Sequence, residues 1–457
     1  MKKCRVCGSA ATPLFYSAPR SILGIARPIS AEITVSACKQ CGHAQSEDIN
    51  FAKFYDAEYR FQLSSQEFDE LVAVVEGRKI YRSDLQAEIA LDLLDLSPGR
   101  RILDHGAAKA ATLRKICASR PGLVPHVYDV SADYRPVWDD WLPRRQQAIH
   151  ELPDEWHGSF DVIQSFFVLE HVEDPNAVLR TLASMLAPDG QLLLIVPNPI
   201  DNVSDFVVFE HVSHFTRSSL TRALHANGLA VEQYSTQRMF GAQGVIGRKR
   251  ATAMPLVDAA GDFGKLAKVA DYWKTAQDRL RQAADRHAGR PSAIYGASVY
   301  GCYIATRVEG RANLRTFVDR NPHLWGKSDF GIPIVPPGGL PEEVEVVYAG
   351  VNPIKAREIL ADVPEWKDRR LDFVFLDGSP SLRDAFPSRG LQSRRRKSTT
   401  SPTRSAVRGT RTPTSTTPGS SKRLPPTVAA GMPYRFPPAP QPFTSPCWRW
   451  ASARAMK

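Results

Sequence analysis

The sequence predicts an α/β protein built in series: a small four-cysteine module, a first α/β unit, a second smaller α/β unit, and a disordered basic tail. Three observations predict it. Four cysteines stand in two Cys-x-x-Cys-Gly knuckles, Cys4/Cys7 and Cys38/Cys41. Five short apolar, β-branched runs alternate with helix-length segments from Arg101 to Val196, and three such runs recur between Ala293 and Tyr348. From Ser388 onward the chain turns abruptly into Arg, Pro, Ser and Thr.

At 457 residues the chain suits about three domains. Its net charge of +11 and pI near 9.3 invite a nucleic-acid reading. Fourteen of the 59 Lys/Arg lie in residues 388–457, where there is no acidic residue, so the rest carries 45 basic against 48 acidic groups, a net of −3. Phosphate binding needs clustered cations on a folded surface, so a nucleic-acid substrate is disfavoured. Eleven of the 35 prolines also fall in that tail. It cannot bury enough apolar surface to offset its chain entropy, and residues 386–457 are expected to be disordered. A role as a basic arm is the alternative to no role.

The knuckles carry the clearest chemistry. Two residues between thiolates, followed by Gly8 or Gly42, make a tight turn whose N–H groups can face sulfur, and two such turns complete an S₄ shell. Zinc is the expected ion, and iron held as in rubredoxins is the other ion such a set accommodates. Four thiolates leave no open position, so Cys4, Cys7, Cys38 and Cys41 are expected to hold a structural metal. Met1-Lys2-Lys3-Cys4-Arg5 has no apolar stretch behind its lysines, and no run of 18 apolar residues exists. A cytoplasmic location is therefore expected, which disfavours disulfides. His43 is expected beside the second knuckle rather than as a ligand, and Cys117, Cys302 and Cys447 carry no mark of a nucleophile.

After the aromatic-rich Phe51–Tyr59 stretch, a helix is expected from about Gln66 to Leu96, stopped by Ser97-Pro98-Gly99. Arg101–Asp104 then reads as a strand, His105–Ala110 as a turn, and Leu113 and Ile116 mark a helix. Further strands are expected at Val127–Asp129, Ala148–His150, Asp161–Gln164 and Gln191–Val196, with a helix over Asn176–Leu186. Such alternation means a parallel sheet covered on both faces, binding ligands at the carboxyl ends of its strands.

Several of these residues together resemble class I S-adenosylmethionine-dependent methyltransferases, whose core is Rossmann-like. They are Leu103-Asp104-x-Gly106, Asp129 ending the second strand, Phe160-Asp161-Val162-Ile163, Val168-Leu169-Glu170-His171-Val172-x-Asp174-Pro175, and Leu186-Ala187-Pro188-Asp189-Gly190. The resemblance implies S-adenosylmethionine as cofactor, contacted by Asp104, Gly106, Ala108, Asp129 and Ser165. The family's loop usually reads Gly-x-Gly-x-Gly, whereas Ala108 and Ala110 stand at the later small positions here.

Beyond the fifth strand, Glu210-His211-Val212-Ser213-His214-Phe215-Thr216 leads into a helix capped by Thr216 and ended by Gly228. Glu-His-x-x-x-Phe-Thr is similar to a motif of sugar C-methyltransferases acting on nucleoside-diphosphate 4-keto-deoxysugars. In that family a zinc module and a Rossmann-like domain flank the methyltransferase core. The resemblance implies His211 as the base that removes a proton alpha to a ketone, Glu210 as its companion and His171 lining the substrate pocket; Tyr59 and His214 are the other residues expected at the substrate, as stand-ins for a donor that the family has and this chain lacks. A neutral imidazole suits that task at pH 7. The family usually has tyrosine where Val208 stands, so one donor to an enolate oxygen is missing. Sugar O-methylation and an inactive scaffold are the alternatives.

The second unit opens with a helix through Trp273, Ala276, Leu280 and Ala284. Ala293–Tyr295 follows as a strand with a Gly296-x-x-x-x-Gly301 turn, and Phe317–Asp319 and Val344–Tyr348 as further strands. The expected division is 1–50 for the cysteine module, 51–97 for a helical connector and 98–250 for the methyltransferase core. Residues 251–385 form the second α/β domain and 386–457 the tail.

Overall fold

A computed structural model describes residues 2–17, 21–22, 28–29, 31–47, 69–75, 78–250 and 257–376, all within one compact unit. The Phe51–Tyr59 stretch, Cys447 and the 386–457 tail lie outside the described residues. The strand-forming runs assemble into a four-stranded, a seven-stranded and a six-stranded sheet, with two small hairpins.

The seven-stranded sheet runs in the order Gln147–Ile149, Val124–Asp129, Arg101–His105, Phe160–Phe166, Leu186–Pro197, Ala242–Lys249, Leu229–Ser235. Its first five strands are parallel, as the alternating pattern requires, and the Arg101–His105 strand lies between the partners at Val124–Asp129 and Phe160–Phe166. The last two strands depart from the expected all-parallel sheet. Ala242–Lys249 pairs antiparallel with both neighbours. Glycines at 244 and 247 and charges at 248 and 249 blunt the strand signal there.

The helices are set by local chemistry. Asp174 accepts from the Ala177 N–H and Pro175 follows at the first turn, opening Pro175–Met185. Thr216 and Ser219 form a reciprocal cap on Arg217–Ala226. The long helix expected from Gln66 does not form over its first half. Leu71–Val75 pairs antiparallel with Arg78–Tyr81, and the helix is only Arg82–Leu93. The β-branched Val72, Val74, Val75 and Ile80 pay χ1 entropy in a helix but suit a strand, which overrides a weak apolar period.

The six-stranded sheet has the order Ser328–Asp329, Ile332–Val335, Asn313–Val318, Pro291–Tyr295, Val346–Ala349, Asp372–Val374, and all its pairings but the first are parallel. The helix Ala259–Arg286 joins it to the rest. Leu266, Val269, Ala270, Trp273, Ala276 and Leu280 recur at helical spacing and are buried. The Trp273 indole donates to the Val203 carbonyl at 2.6 Å. One continuous core thus includes Phe15 and Val35 of the cysteine module, Trp273, and Tyr303 and Phe317 beside the second sheet.

The four-stranded sheet decides where the site sits. Its order is Thr12–Ser17, Ile33–Ala37, Ala44–Gln45, Ser213–His214. The first three strands belong to the cysteine module, and the fourth is the segment just past His211. Among the described residues, no helix is long and apolar enough to cross a membrane.

Candidate functional site

At the carboxyl end of Arg101–His105 the chain turns sharply into the helix Ala111–Ser119. Gly106 has φ +75°, and a Cβ there would meet Val168 Cγ2 at 2.2 Å. Ala108 and Ala110 have φ of 46° and 54°, so all three small positions of the loop are left-handed. Each alanine in that region costs about 1–2 kcal/mol, which the surrounding contacts offset. The Ala108 N–H donates to Asp129 Oδ2 at 2.9 Å, and the Ala108 carbonyl accepts from the Trp138 indole at 2.8 Å. Asp129 Oδ1 accepts from the Ser131 N–H at 3.0 Å. Its carboxylate retains further lone pairs for hydroxyl donors.

Burial pushes the Asp104 carboxyl up to about 7 and raises Asp129 as well. His105, which the sequence reading passed over, stacks on Tyr128 at 5.1 Å and shares a 3.2 Å hydrogen bond with Ser165 Oγ. Burial holds its ring down at about 4, so it is neutral. Asp104, Gly106, Ala108, Asp129 and Ser165 are therefore together at one strand edge, with Ser165 tied to His105.

The loop after Leu186–Pro197 carries the second half of the site. A short turn of 3-10 helix, Val203–Val207, places Asp205 inside, 1% exposed. His211 Nδ1 lies 2.6 Å from Asp205 Oδ1, and His214 Nδ1 lies 2.7 Å from Asp205 Oδ2. Burial favours a protonated Asp205, but His214 and His211 outweigh it and hold the carboxyl well below its ordinary range. Burial pulls the His211 ring down, yet the hydrogen bond and charge of Asp205 outweigh that and raise it above its ordinary value.

His171 stands edge-on to His211, with ring centroids 4.9 Å apart, and its Nδ1–H donates to the Glu210 carbonyl at 3.2 Å. Burial pushes His171 down to about 3. Glu170 is 1% exposed, neither carboxylate oxygen has a hydrogen-bond partner among the described residues, and burial pushes it up to about 7. One ligating atom from each of Glu170, His171 and His211 lies within 4.8 Å of the others. Such a set can pass or share a proton.

Two of the expected site residues, His214 and Glu210, are fully buried. The His214 ring has Nδ1 on Asp205 and Nε2 2.9 Å from Ser46 Oγ. The His211 ring is hydrogen-bonded to Asp205, while the carbonyl of its neighbour Glu210 serves His171. Tyr59 lies outside the described residues. Val208 is buried in the core and bridges to Ile22, so the phenol expected at that position has no counterpart there. Asp205 and Glu170 were the residues missed. Glu170 sits inside the Leu169-Glu170-His171 motif and was in reach of it; nothing in the sequence around Asp205 marks it.

The four knuckle cysteines converge. Cys4 Sγ lies 3.5 Å from Cys41 Sγ, Cys7 Sγ lies 3.6 Å from Cys38 Sγ, and all four fall within 4.8 Å of one another. A tetrahedral zinc with 2.3 Å bonds sets sulfurs about 3.8 Å apart, so the donor set fits the ion. Gly8 and Gly42 carry the left-handed turns, φ +74° and +70°.

In the second sheet the turn after Pro291–Tyr295 has the same plan as the first. Gly296 has φ +98°, and the Ala297 N–H donates to Asp319 Oδ2 at 2.8 Å. Asp319 Oδ1 accepts from the Asn321 N–H at 2.7 Å.

Residues 80–234 match the family described as "Methyltransferase domain". The chain is 32% identical over 106 residues to a ubiquinone biosynthesis O-methyltransferase of Xanthomonas campestris pv. campestris, covering 22% of this chain and 44% of that protein. It is 43% identical over 110 residues to the enzyme so named in Xanthomonas oryzae pv. oryzae, covering 23% and 46%. The chain thus spans less than half the length of the curated relatives it matches. A methyltransferase from Mesorhizobium loti, described as S-adenosylmethionine dependent, aligns with 36% of this chain and 97% of its own at 17% identity and a TM-score of 0.31. The matched residues 80–234 include all five parallel strands of the seven-stranded sheet, so the methyltransferase likeness falls on that unit.

Proposed function

We propose that the chain is an S-adenosylmethionine-dependent methyltransferase acting on a sugar, with carbon methylation of a nucleoside-diphosphate 4-keto-deoxysugar as the leading reaction. The observation that carries it is the pair of features at one sheet edge. A left-handed turn at Gly106, Ala108 and Ala110 adjoins buried Asp104 and Asp129, and an Asp205-bonded His211 stands on the loop after Leu186–Pro197. The turn brings backbone close to a ligand, and Asp129 keeps lone pairs for ribose hydroxyls. When bound, the cofactor supplies an electrophilic methyl on a sulfonium. His211 takes the proton alpha to the sugar ketone, leaving the bonding pair on carbon as the nucleophile. His171 stands beside it as a neutral ring and by resemblance contacts the sugar, with Tyr59 as a stand-in for the donor missing at Val208.

In this reading Cys4, Cys7, Cys38 and Cys41 hold a structural zinc, and residues 1–50, 98–250 and 251–385 act as module, core and second domain. Metal analysis finding no zinc or iron on the purified chain would remove that part. An oxygen acceptor is the second reading, supported by the O-methyltransferase relatives and by Val208 at the position of an enolate-binding phenol.

Titration calorimetry with S-adenosylmethionine, then labelled cofactor with a panel of nucleotide sugars, tests the proposal. Micromolar binding is expected, with His211→Ala abolishing methyl transfer but not cofactor binding. No heat at millimolar cofactor would leave a binding scaffold instead.

A further inference from the structure

We infer that Asp205 is the positioning residue of His211, and that the cysteine module locks it in place through His214 and Ser46. The inference rests on the reading of His211 as the base. A carboxylate only accepts hydrogen bonds, so both rings bonded to Asp205 must present Nδ1–H to it. That fixes the His211 tautomer and leaves its Nε2 as the lone pair when the ring is neutral. The same logic runs outward. With His214 donating from Nδ1, its Nε2 accepts from the Ser46 hydroxyl at 2.9 Å. The chain of bonds is Ser46 to His214, His214 to Asp205, and His211 to Asp205, all buried or nearly so.

The backbone is held by the same module. Ser213 pairs with Gln45 and His214 with Ala44 as the edge of the module sheet. The Val212 carbonyl accepts from the Ser46 N–H at 3.1 Å and from the Arg5 guanidinium. The Phe209 N–H donates to the Ile22 carbonyl at 2.8 Å. Residues on both sides of His211 are therefore pinned to residues 5–46, and Ser46 lies five residues past Cys41. The knuckles that fix the module also fix where the base stands.

Among the described residues the titratable and charged groups that act on His211 are Asp205, Glu170, Glu210 and His171; Arg82 acts on Glu170 and His171, and His214 and His43 act on Asp205. Asp205 raises the His211 ring, so removing its charge lowers the pH at which that ring titrates. The base form then persists to lower pH, while the loss of tautomer control cuts the rate.

The test is NMR of the full chain with ¹³C,¹⁵N-labelled histidine, His211 being assigned by its absence in His211→Gln. Asp205→Asn is expected to lower the His211 titration midpoint by about one pH unit. The acid limb of kcat/KM moves the same way, and kcat falls about 10²–10⁴-fold with cofactor affinity retained. A folded Asp205→Asn protein with an unchanged His211 midpoint overturns the inference. A lowered midpoint combined with full methyl transfer by His211→Ala sinks the base reading and leaves the positioning intact. Should Asp205→Asn not fold, Ser46→Ala decides: the ring ¹⁵N shifts of both His214 and His211 are expected to move, and unmoved shifts overturn the link to the module.

Discussion

The two parallel sheets open with the same device and use it differently. In each, a glycine with positive φ ends the first strand, and an aspartate 23 residues later ends the neighbouring one. In each, that aspartate accepts the N–H of a small residue in the turn: Asp129 from Ala108 and Asp319 from Ala297. In the first sheet the turn continues through two more left-handed residues, follows directly on Asp104 and His105, and lies against Val168, two residues before Glu170. In the second, three glycines close the turn on itself. A Cβ on Gly301 would meet the Gly296 carbonyl oxygen at 1.8 Å, one on Gly296 the Gly350 oxygen at 2.3 Å, and one on Gly350 the Gly301 Cα at 2.6 Å. A strand–Gly–helix turn is therefore a frame; the side chains delivered to its rim decide whether chemistry follows.

The largest effect that sharpens this contrast is on stability. Gly301→Ala presses a methyl into backbone that has nowhere to move and is expected to cost about 3 kcal/mol in urea unfolding. The molecules that remain folded should bind cofactor normally. Gly106→Ala meets a side chain, Val168, rather than backbone, and adds about 1–2 kcal/mol of left-handed strain, so it should destabilise less than Gly301→Ala while also weakening cofactor affinity. Equal loss of affinity in both variants would dissolve the distinction between the two turns.

Next in size is the aspartate pair. Asp129→Asn is expected to weaken S-adenosylmethionine binding about tenfold in calorimetry, equivalent to about 1.4 kcal/mol. Asp319→Asn should leave that affinity within twofold and lower only the melting temperature. A cofactor affinity that followed Asp319 instead would move the site to the other sheet.

The smallest effect concerns the alanines. Ala108→Gly or Ala110→Gly relieves a left-handed alanine and is expected to raise stability by about 0.5–1 kcal/mol, despite the added freedom of the unfolded chain. A measurable loss of stability in both would mean that the loop abandons these angles in solution.

Much of this was legible in the sequence because it depends on neighbours a few residues apart. Knuckle spacing fixed where the four thiols could meet, and the alternation of short apolar runs with helical segments predicted five parallel strands. The Thr216 cap and the Gly228 stop were visible for the same reason. The connector was misread because a stretch rich in Val carries strand preference that an apparent helical period hides. The burial of His214 was not legible, because motif position says nothing of which way a ring faces once its strand pairs with Gln45 and Ala44.

Sequence alone determined the cysteine donor set, the order of the α/β elements and the residues at the first sheet's carboxyl edge, since each follows from local spacing and backbone preference. Only the tertiary structure decided that Asp205 holds His211, that the Glu170 carboxyl is buried beside His171 and His211, and that Ala108 and Ala110 keep the turn a glycine would make. Those outcomes depend on groups brought together from Cys4 to Asp205, and on a low-dielectric interior that exists only after the chain has closed around them.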